Sequence, residues 1–162
     1  MSEPQVYMVC LSSYYNGVPS GAWRDADELE AGKRHNGVRG GDWAIHDYDG
    51  VPDMGENPDI EFLIEVMRCI EGYKDGSFYH WFNHDSWNMS HLKGEVEDHF
   101  REQYYGKYDS PKAFAEEYAA EVGWLSNDNN NPLFRYIDFD WYWKSDLRHS
   151  FTFSHGHVWR RY

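Results

Sequence analysis

His80 and His84 stand four residues apart, with Asp85 beside them and His91 further on. On a helix, two imidazoles at that spacing can share one metal ion. The stretch around them, residues 79–87, has no clear helical pattern. No glutamate base stands between the two histidines, and no third ligand follows at a motif spacing. His149, His155 and His157 flank an expected hairpin and have the same deficit. His46 and Asp47 would form an acid–base pair if their side chains converged, but neighbours on a strand point to opposite faces. RGGDW and GKYDSP lack the spacing of a phosphate-binding loop, and there is no Gly-x-Ser-x-Gly elbow. Cys10 and Cys69 lie in apolar runs and read as reduced core residues. The expectation is a chain with no catalytic residue, no metal and no cofactor.

The abundant reactive group is the carboxylate. The 162 residues hold 28 Asp plus Glu against 15 Lys plus Arg, a formal net charge of −13. Such a chain repels nucleic acid and is drawn to proteins with basic surfaces, DNA-binding proteins among them. An aromatic content of 19% is too high for a disordered acidic tail, so a folded, ring-rich interior is expected. No apolar run reaches the roughly 20 residues of a membrane span. Met1 to Pro4 lacks the basic and apolar parts of a signal peptide. A soluble, cytosolic protein is expected.

These groups need elements to position them. QVYMVCL at 5–11 reads as a buried strand, followed by an Asn-Gly turn at 16–17. GAW at 21–23 and DWAIHDY at 42–48 read as further strands, with a short acidic helix at 25–34 between them. In the strand at 42–48, alternation puts Trp43, Ile45 and Asp47 on one face and Ala44, His46 and Tyr48 on the other. DGVPDMGENP at 49–58 is rich in Gly, Pro and Asp and marks a boundary. Asn57 is then expected to cap a helix with Pro58 at its first position and Ile60, Leu63, Ile64 and Met67 on its apolar face. Ser90 is expected to cap another, carrying Leu92, Val96, Phe100 and Tyr104. Ser110 and Pro111 open a third, with Phe114, Tyr118 and Val122 as its stripe. LFRYIDFDWYW at 133–143 mixes strand and helix signals, and residues 150–159 read as a hairpin around Gly156.

The fold class is α+β. Three small units in a row are expected: a strand-rich 1–56, a helical acidic 57–109 and a mixed 110–162. They hold 10 acids with 4 bases, 11 with 5, and 7 with 6. The helices display carboxylates three or four residues apart, about 5–6 Å on one face. The array comprises Asp25, Asp27, Glu28 and Glu30; then Asp47 and Asp49; then Asp59, Glu61 and Glu65. It continues through Glu95, Glu97, Asp98 and Glu102, and ends with Asp109, Glu116, Glu117 and Glu121. An ordinary solvated helix face explains any one of these groups. Their recurrence over three units asks for more. The nearly neutral, aromatic last third suits self-association, with Trp124, Leu125, Phe134, Tyr136, Phe139 and Trp141 as candidate interface residues.

The wording of the chain adds a resemblance. GAWRDADEL at 21–29 and DWAIHDYDGVPDMGENPDIEFL at 42–63 resemble the N-terminal half of the ArdA antirestriction proteins. FREQYYGKYDSPKAFAEEYAAEVG at 100–123 looks like that family's aromatic-x-Gly-x-Tyr-Asp-Ser helix entry. YIDFDWYWKSDL and FTFSHGHVWR, within 136–160, look like its C-terminal signature. The matches run in order over nearly the whole chain. The resemblance implies a noncatalytic DNA mimic built of three small α/β units in an elongated, curved molecule that dimerises through the last unit. Its carboxylates would imitate the phosphates of bent DNA and fill the DNA-binding groove of type I restriction–modification enzymes, at the methyltransferase core. It implies no cofactor, no nucleic-acid or membrane partner, genes carried by plasmids, conjugative transposons or phages, and action in the bacterial cytoplasm. The chain departs from the family's pattern in its 15 bases and nine His, with a His- and aromatic-rich stretch around 84–93 that holds His84 and His91, which leaves target breadth open. Two other readings stay open: an acidic inhibitor of a different nucleic-acid enzyme, such as a CRISPR effector, and a metal-dependent enzyme using His80, His84 and His91. Within the mimic reading, DWAIHDYDG anchors itself through Trp43 and Ile45 and displays Asp47 and Asp49, with His46 structural.

Overall fold

In a computed structural model, residues 2–37, 41–85, 89–123 and 133–161 are described. The chain is α+β and divides into two compact units, Met1–Phe100 and Arg101–Tyr162. Sequence reading drew breaks near 56 and 109. In the structure, residues 57–100 belong to one compact unit with the N-terminal strands, and the division falls at 100/101.

The first unit is built on a three-stranded antiparallel sheet. β1 (Gln5–Cys10) lies between β2 (Ala22–Arg24) and β3 (Trp43–Asp49). Met8, Val9 and Cys10 are consecutive and all buried. A centre strand covered on both faces can have this unbroken apolar run. The Asn-Gly pair at 16–17 does not join two strands: it ends a short helix, α1 (Leu11–Tyr15), with Gly17 at φ +71°. α2 (Ala26–Glu30) begins with a full capping box. Asp25 accepts from the Glu28 N–H at 2.8 Å, and the Glu28 carboxylate accepts from the Asp25 N–H at 3.4 Å.

β3 departs from simple alternation. Tyr7 opposes Asp47 and Met8 opposes Ile45, so His46 is an extra residue, a β-bulge. Ala44 and Ile45 are therefore both buried, and His46 and Asp47 both exposed. The segment expected to be a boundary is packed against this strand. Ile45 N–H donates to Glu56 O at 2.8 Å, and Val51 and Pro52 are buried. The open edge of β3 is thus covered.

α3 (Ile60–Gly72) starts two residues later than expected. Asp59, not Asn57, is its cap, accepting from the Phe62 N–H at 2.9 Å. A carboxylate there answers both the free N–H groups and the positive end of the helix dipole. The buried stripe is Phe62, Leu63, Val66, Met67, Cys69 and Ile70, while Ile60 and Ile64 are half-exposed. The free Cys10 and Cys69 are core residues. Residues 77–85, without a clear pattern in sequence, form α4 (Ser77–Asp85). Its signal is masked because the buried side chains, Phe78, Trp81 and Phe82, are rings beside polar neighbours. The expected helix from Ser90 is split: Ser90–Leu92 is a 3₁₀ turn, Gly94 takes φ +85°, and α5 (Val96–Gln103) starts beyond it. Phe100 of α5 meets Phe78 at 5.4 Å, Trp81 at 5.3 Å and Tyr73 at 4.9 Å between ring centroids. Such pairs each add about 0.5–1.5 kcal/mol beyond area burial.

In the second unit β4 (Tyr104–Lys107) replaces the expected helix end. It pairs with β6 (His157–Arg160), which pairs with β5 (Phe151–Ser154). The β5–β6 hairpin turns on His155 and Gly156, at φ +51° and +82°, the two positive values of a type I′ turn. α6 (Pro111–Glu121) is capped by Ser110, whose hydroxyl accepts from the Ala113 N–H. Phe114 holds this core together, with the rings of Tyr105, Tyr108, Tyr118, Trp143 and Phe151 all within 6.1 Å. Val122, expected in the stripe, is 45% exposed because the helix has ended before it. Residues 133–143 contain no strand: a 3₁₀ turn at Phe134–Tyr136 leads to α7 (Phe139–Ser145), capped by Asp138.

Candidate functional site

The two units differ most in charge. Residues 1–100 hold 19 acidic and 7 basic side chains, and residues 101–162 hold 9 and 8. Nearly all of the net charge is therefore on the first unit.

Of the acid array, Asp25, Asp27, Glu30, Asp47, Asp59, Glu61, Glu95, Asp98, Glu102, Asp109, Glu117 and Glu121 are exposed. Glu28, Asp49, Glu65, Glu97 and Glu116 are half-buried. Four of those five are partly spent on the fold. Glu28 closes the capping box and pairs with Arg24 at 3.3 Å. Asp49 accepts from Ser2 and Gln5, Glu65 from the Gly94 N–H at 2.8 Å, and Glu97 from the Tyr73 hydroxyl. Glu117 accepts from the Tyr108 hydroxyl, whose pKa is pushed up by burial and by this carboxylate.

Two cations are set into the array. Arg68 of α3 binds Asp27 at 2.5 Å, Glu30 at 2.9 Å and Glu71 at 3.3 Å, tying α2 to α3. The Asp27 and Glu30 bonds hold its pKa even higher than usual. Lys93 binds Glu61 at 2.5 Å and Asp59 at 3.1 Å, and its pKa is raised by these bonds. The reach of Arg68 from α3 to α2 has no local signal in the sequence. Lys93 was missed altogether, since only the fold brings it to the start of α3. Glu95, Asp98 and Glu102 carry no ion pair among the described residues.

The candidates for catalysis do not assemble. His80 and His84 do share a helix, but among the described residues no three His, Cys, Asp or Glu side chains are grouped to hold a metal. His46 meets the ring of Tyr14 edge-on at 5.0 Å, and the Asp47 carboxylate accepts from the Tyr48 N–H at 2.9 Å. Among the described residues no helix is long and apolar enough to cross a membrane.

A family model described as "Antirestriction protein (ArdA)" matches residues 6–158. The chain belongs to the ArdA antirestriction family. The match covers most of both units, including the bulged β3 and the closing hairpin up to Val158. Membership in the ArdA family carries antirestriction function, and with it interaction with restriction–modification enzymes. No curated protein matches the chain.

The candidate interface residues are dispersed. Trp124 and Leu125 lie outside the described residues, as does the Phe134 side chain. Tyr136 and Trp141 are 78% and 66% exposed. Phe139 needs correction: it is 3% exposed and packed in the core with Phe114 and Phe151, because it opens α7 on the inward side.

Asp59 offers a direct test of this local electrostatics. Its pKa is lowered first by the Phe62 N–H and second by Lys93. A lowered carboxylate stabilises the fold above its ordinary range, and the contribution is lost as pH falls through the lowered value. In Lys93→Ala, carboxyl ¹³C shifts followed against pH should show Asp59 titrating higher than in the wild type yet still below an ordinary carboxylate. A complete return to the ordinary value would mean that the cap contributes nothing.

Proposed function

We propose that the chain is a noncatalytic DNA mimic that binds type I restriction–modification enzymes in the groove that otherwise holds DNA, at the methyltransferase core. The observation that carries the reading is the segregation of charge: 19 acids against 7 bases in residues 1–100, many of them exposed on α2, α3 and α5. Carboxylates three or four residues apart on a helix are about 5–6 Å apart. That is comparable to phosphates on a DNA strand, which rises about 3.4 Å per nucleotide on a wider helix. The retained cations fit this reading as well. Arg68 and Lys93 hold flexible carboxylates in fixed places, so less side-chain entropy is lost on binding. No cofactor, nucleic acid or membrane enters the mechanism, and the site of action is the bacterial cytoplasm, where the target enzymes work.

Inhibition needs no reaction. A groove lined with Lys and Arg attracts the acidic surface at long range, and the surface then occupies the place of the duplex. Each exposed ion pair contributes under about 1 kcal/mol, so affinity is a sum over many. The test is collective reversal. Glu61, Glu95, Asp98 and Glu102 changed together to Lys should weaken binding to the enzyme strongly and flatten its dependence on salt, while each single reversal has a small effect. A folded quadruple variant that binds as well as wild type at every salt concentration would contradict mimicry by these faces.

The second unit, with 9 acids and 8 bases, is proposed to form a homodimer. Tyr136 and Trp141 are its exposed rings, joined by Leu133 at 65% exposure. The double variant Tyr136→Lys, Trp141→Lys should sediment as a monomer at concentrations where the wild type is a dimer. An unchanged sedimentation coefficient would remove this surface from the dimer.

A further inference from the structure

The bulge in β3 has a second consequence. Beside it, within the first unit, lies an open cavity of about 670 Å³. Its walls come from α1, β3, the loop after β3, and α4. Tyr14, Tyr15, His46 and Tyr79 supply rings, and Asp47, Asp53 and Glu56 supply carboxylates. The Tyr14 ring meets Tyr15 at 5.8 Å and His46 at 5.0 Å, both edge-on. Tyr14 and Tyr15 are 56% and 80% exposed.

The cavity differs from the acidic faces of α2 and α3 in one respect. On those two faces crowded carboxylates come with an internal cation, Arg68 or Lys93. No Lys or Arg lines this cavity among the described residues, and Asp47, Asp53 and Glu56 have no ion pair there. Backbone bonds orient two of these carboxylates without neutralising them: Asp47 accepts from the Tyr48 N–H at 2.9 Å and Asp53 from the Gly55 N–H at 2.8 Å. The Tyr48 hydroxyl is spent on the loop, donating to Gly55 O at 2.5 Å. Burial and the nearby Asp53 push its pKa up, so it stays protonated.

We propose that this cavity receives one arginine side chain presented by the protein that the acidic surface binds. The rings offer faces and edges to a flat cation, and the carboxylates accept its forked N–H donors. Arginine fits better than lysine because the guanidinium is planar, stacks on rings and binds carboxylates through two parallel bonds. The assignment rests on the reading of the first unit as a ligand for a basic protein groove. It adds a specific anchor to a surface that otherwise attracts by summed charge.

The test uses the full chain, ¹⁵N-labelled, titrated with N-acetyl-arginine amide, and with the lysine analogue and sodium chloride as controls. Saturable shifts at the amides of Tyr15, His46, Asp47 and Gly55, stronger for arginine and lost in the double variant Tyr14→Ala, Tyr15→Ala, support the cavity. Equal responses to both amides, or shifts spread over all acidic faces, overturn it. With a type I enzyme, the same uncharged variant should lose about tenfold in affinity with its salt dependence unchanged. Glu95→Gln, Asp98→Asn, Glu102→Gln should instead reduce the salt dependence. If only the carboxylate variant weakens binding, the mimic stands and the arginine site is wrong. If no enzyme binds yet the arginine amide still saturates the cavity, the mimic reading fails and the site survives.

Discussion

Self-repulsion is the constraint that shapes this molecule. A hundred residues with 19 acids and 7 bases must stay compact at neutral pH. Surface charges farther apart than about 8–10 Å are screened by salt, but neighbours on adjoining helices are closer. The fold responds in two ways. It concentrates attraction in rings: Phe78, Trp81, Phe82 and Phe100 are all at most 1% exposed, and Phe78 and Trp81 each meet the other three. It also keeps two cations where acids crowd, Arg68 between α2 and α3 and Lys93 at the start of α3. Truncating a buried aromatic costs about 3–5 kcal/mol, several times what an exposed like-charge contact costs. The core can therefore hold a surface that by itself disfavours compaction.

The same constraint separates two tasks. In the first unit most carboxylates lie outside and the rings of α4 and α5 lie inside, while Tyr14, Tyr15 and Trp23 stay exposed. The second unit is nearly neutral and can leave Tyr136 and Trp141 in solvent. The proposed division into a charged binding unit and a self-associating unit follows from that partition. β3 connects fold to surface most closely. One extra residue, His46, turns Asp47 outward, and the chain beyond returns to cover the strand's edge through Glu56.

Local signals were legible where one residue type decides the conformation. Ser110 before Pro111 was readable as a cap, the turn around Gly156 as a hairpin, and residues 25–34 as a short acidic helix, though not its Asp25–Glu28 capping box. The strands at 5–10, 22–24 and 43–49 were readable from apolar runs. α4 was hidden because its inward side chains are rings interleaved with His and Asn, a pattern with weak helical periodicity. β4 was hidden because its pairing partner, β6, lies some 50 residues away. Residues 49–58 read as a boundary and lie inside one compact unit: Gly, Pro and Asp signal an irregular path, not whether that path packs against a neighbouring strand. The acid array could be read as composition, but which carboxylates stand free depended on Lys93 and Arg68 finding them across the fold. Phe139 was assigned outward because aromatic density marks cores and interfaces alike.

Competition with DNA tests the central claim most directly. A purified type I methyltransferase core is bound to a labelled duplex carrying its recognition site, and the protein is added in increasing amounts. The account predicts displacement of the duplex near one equivalent per DNA-binding groove, weakening as salt is raised. An active enzyme that keeps its duplex in the presence of excess folded protein would contradict it.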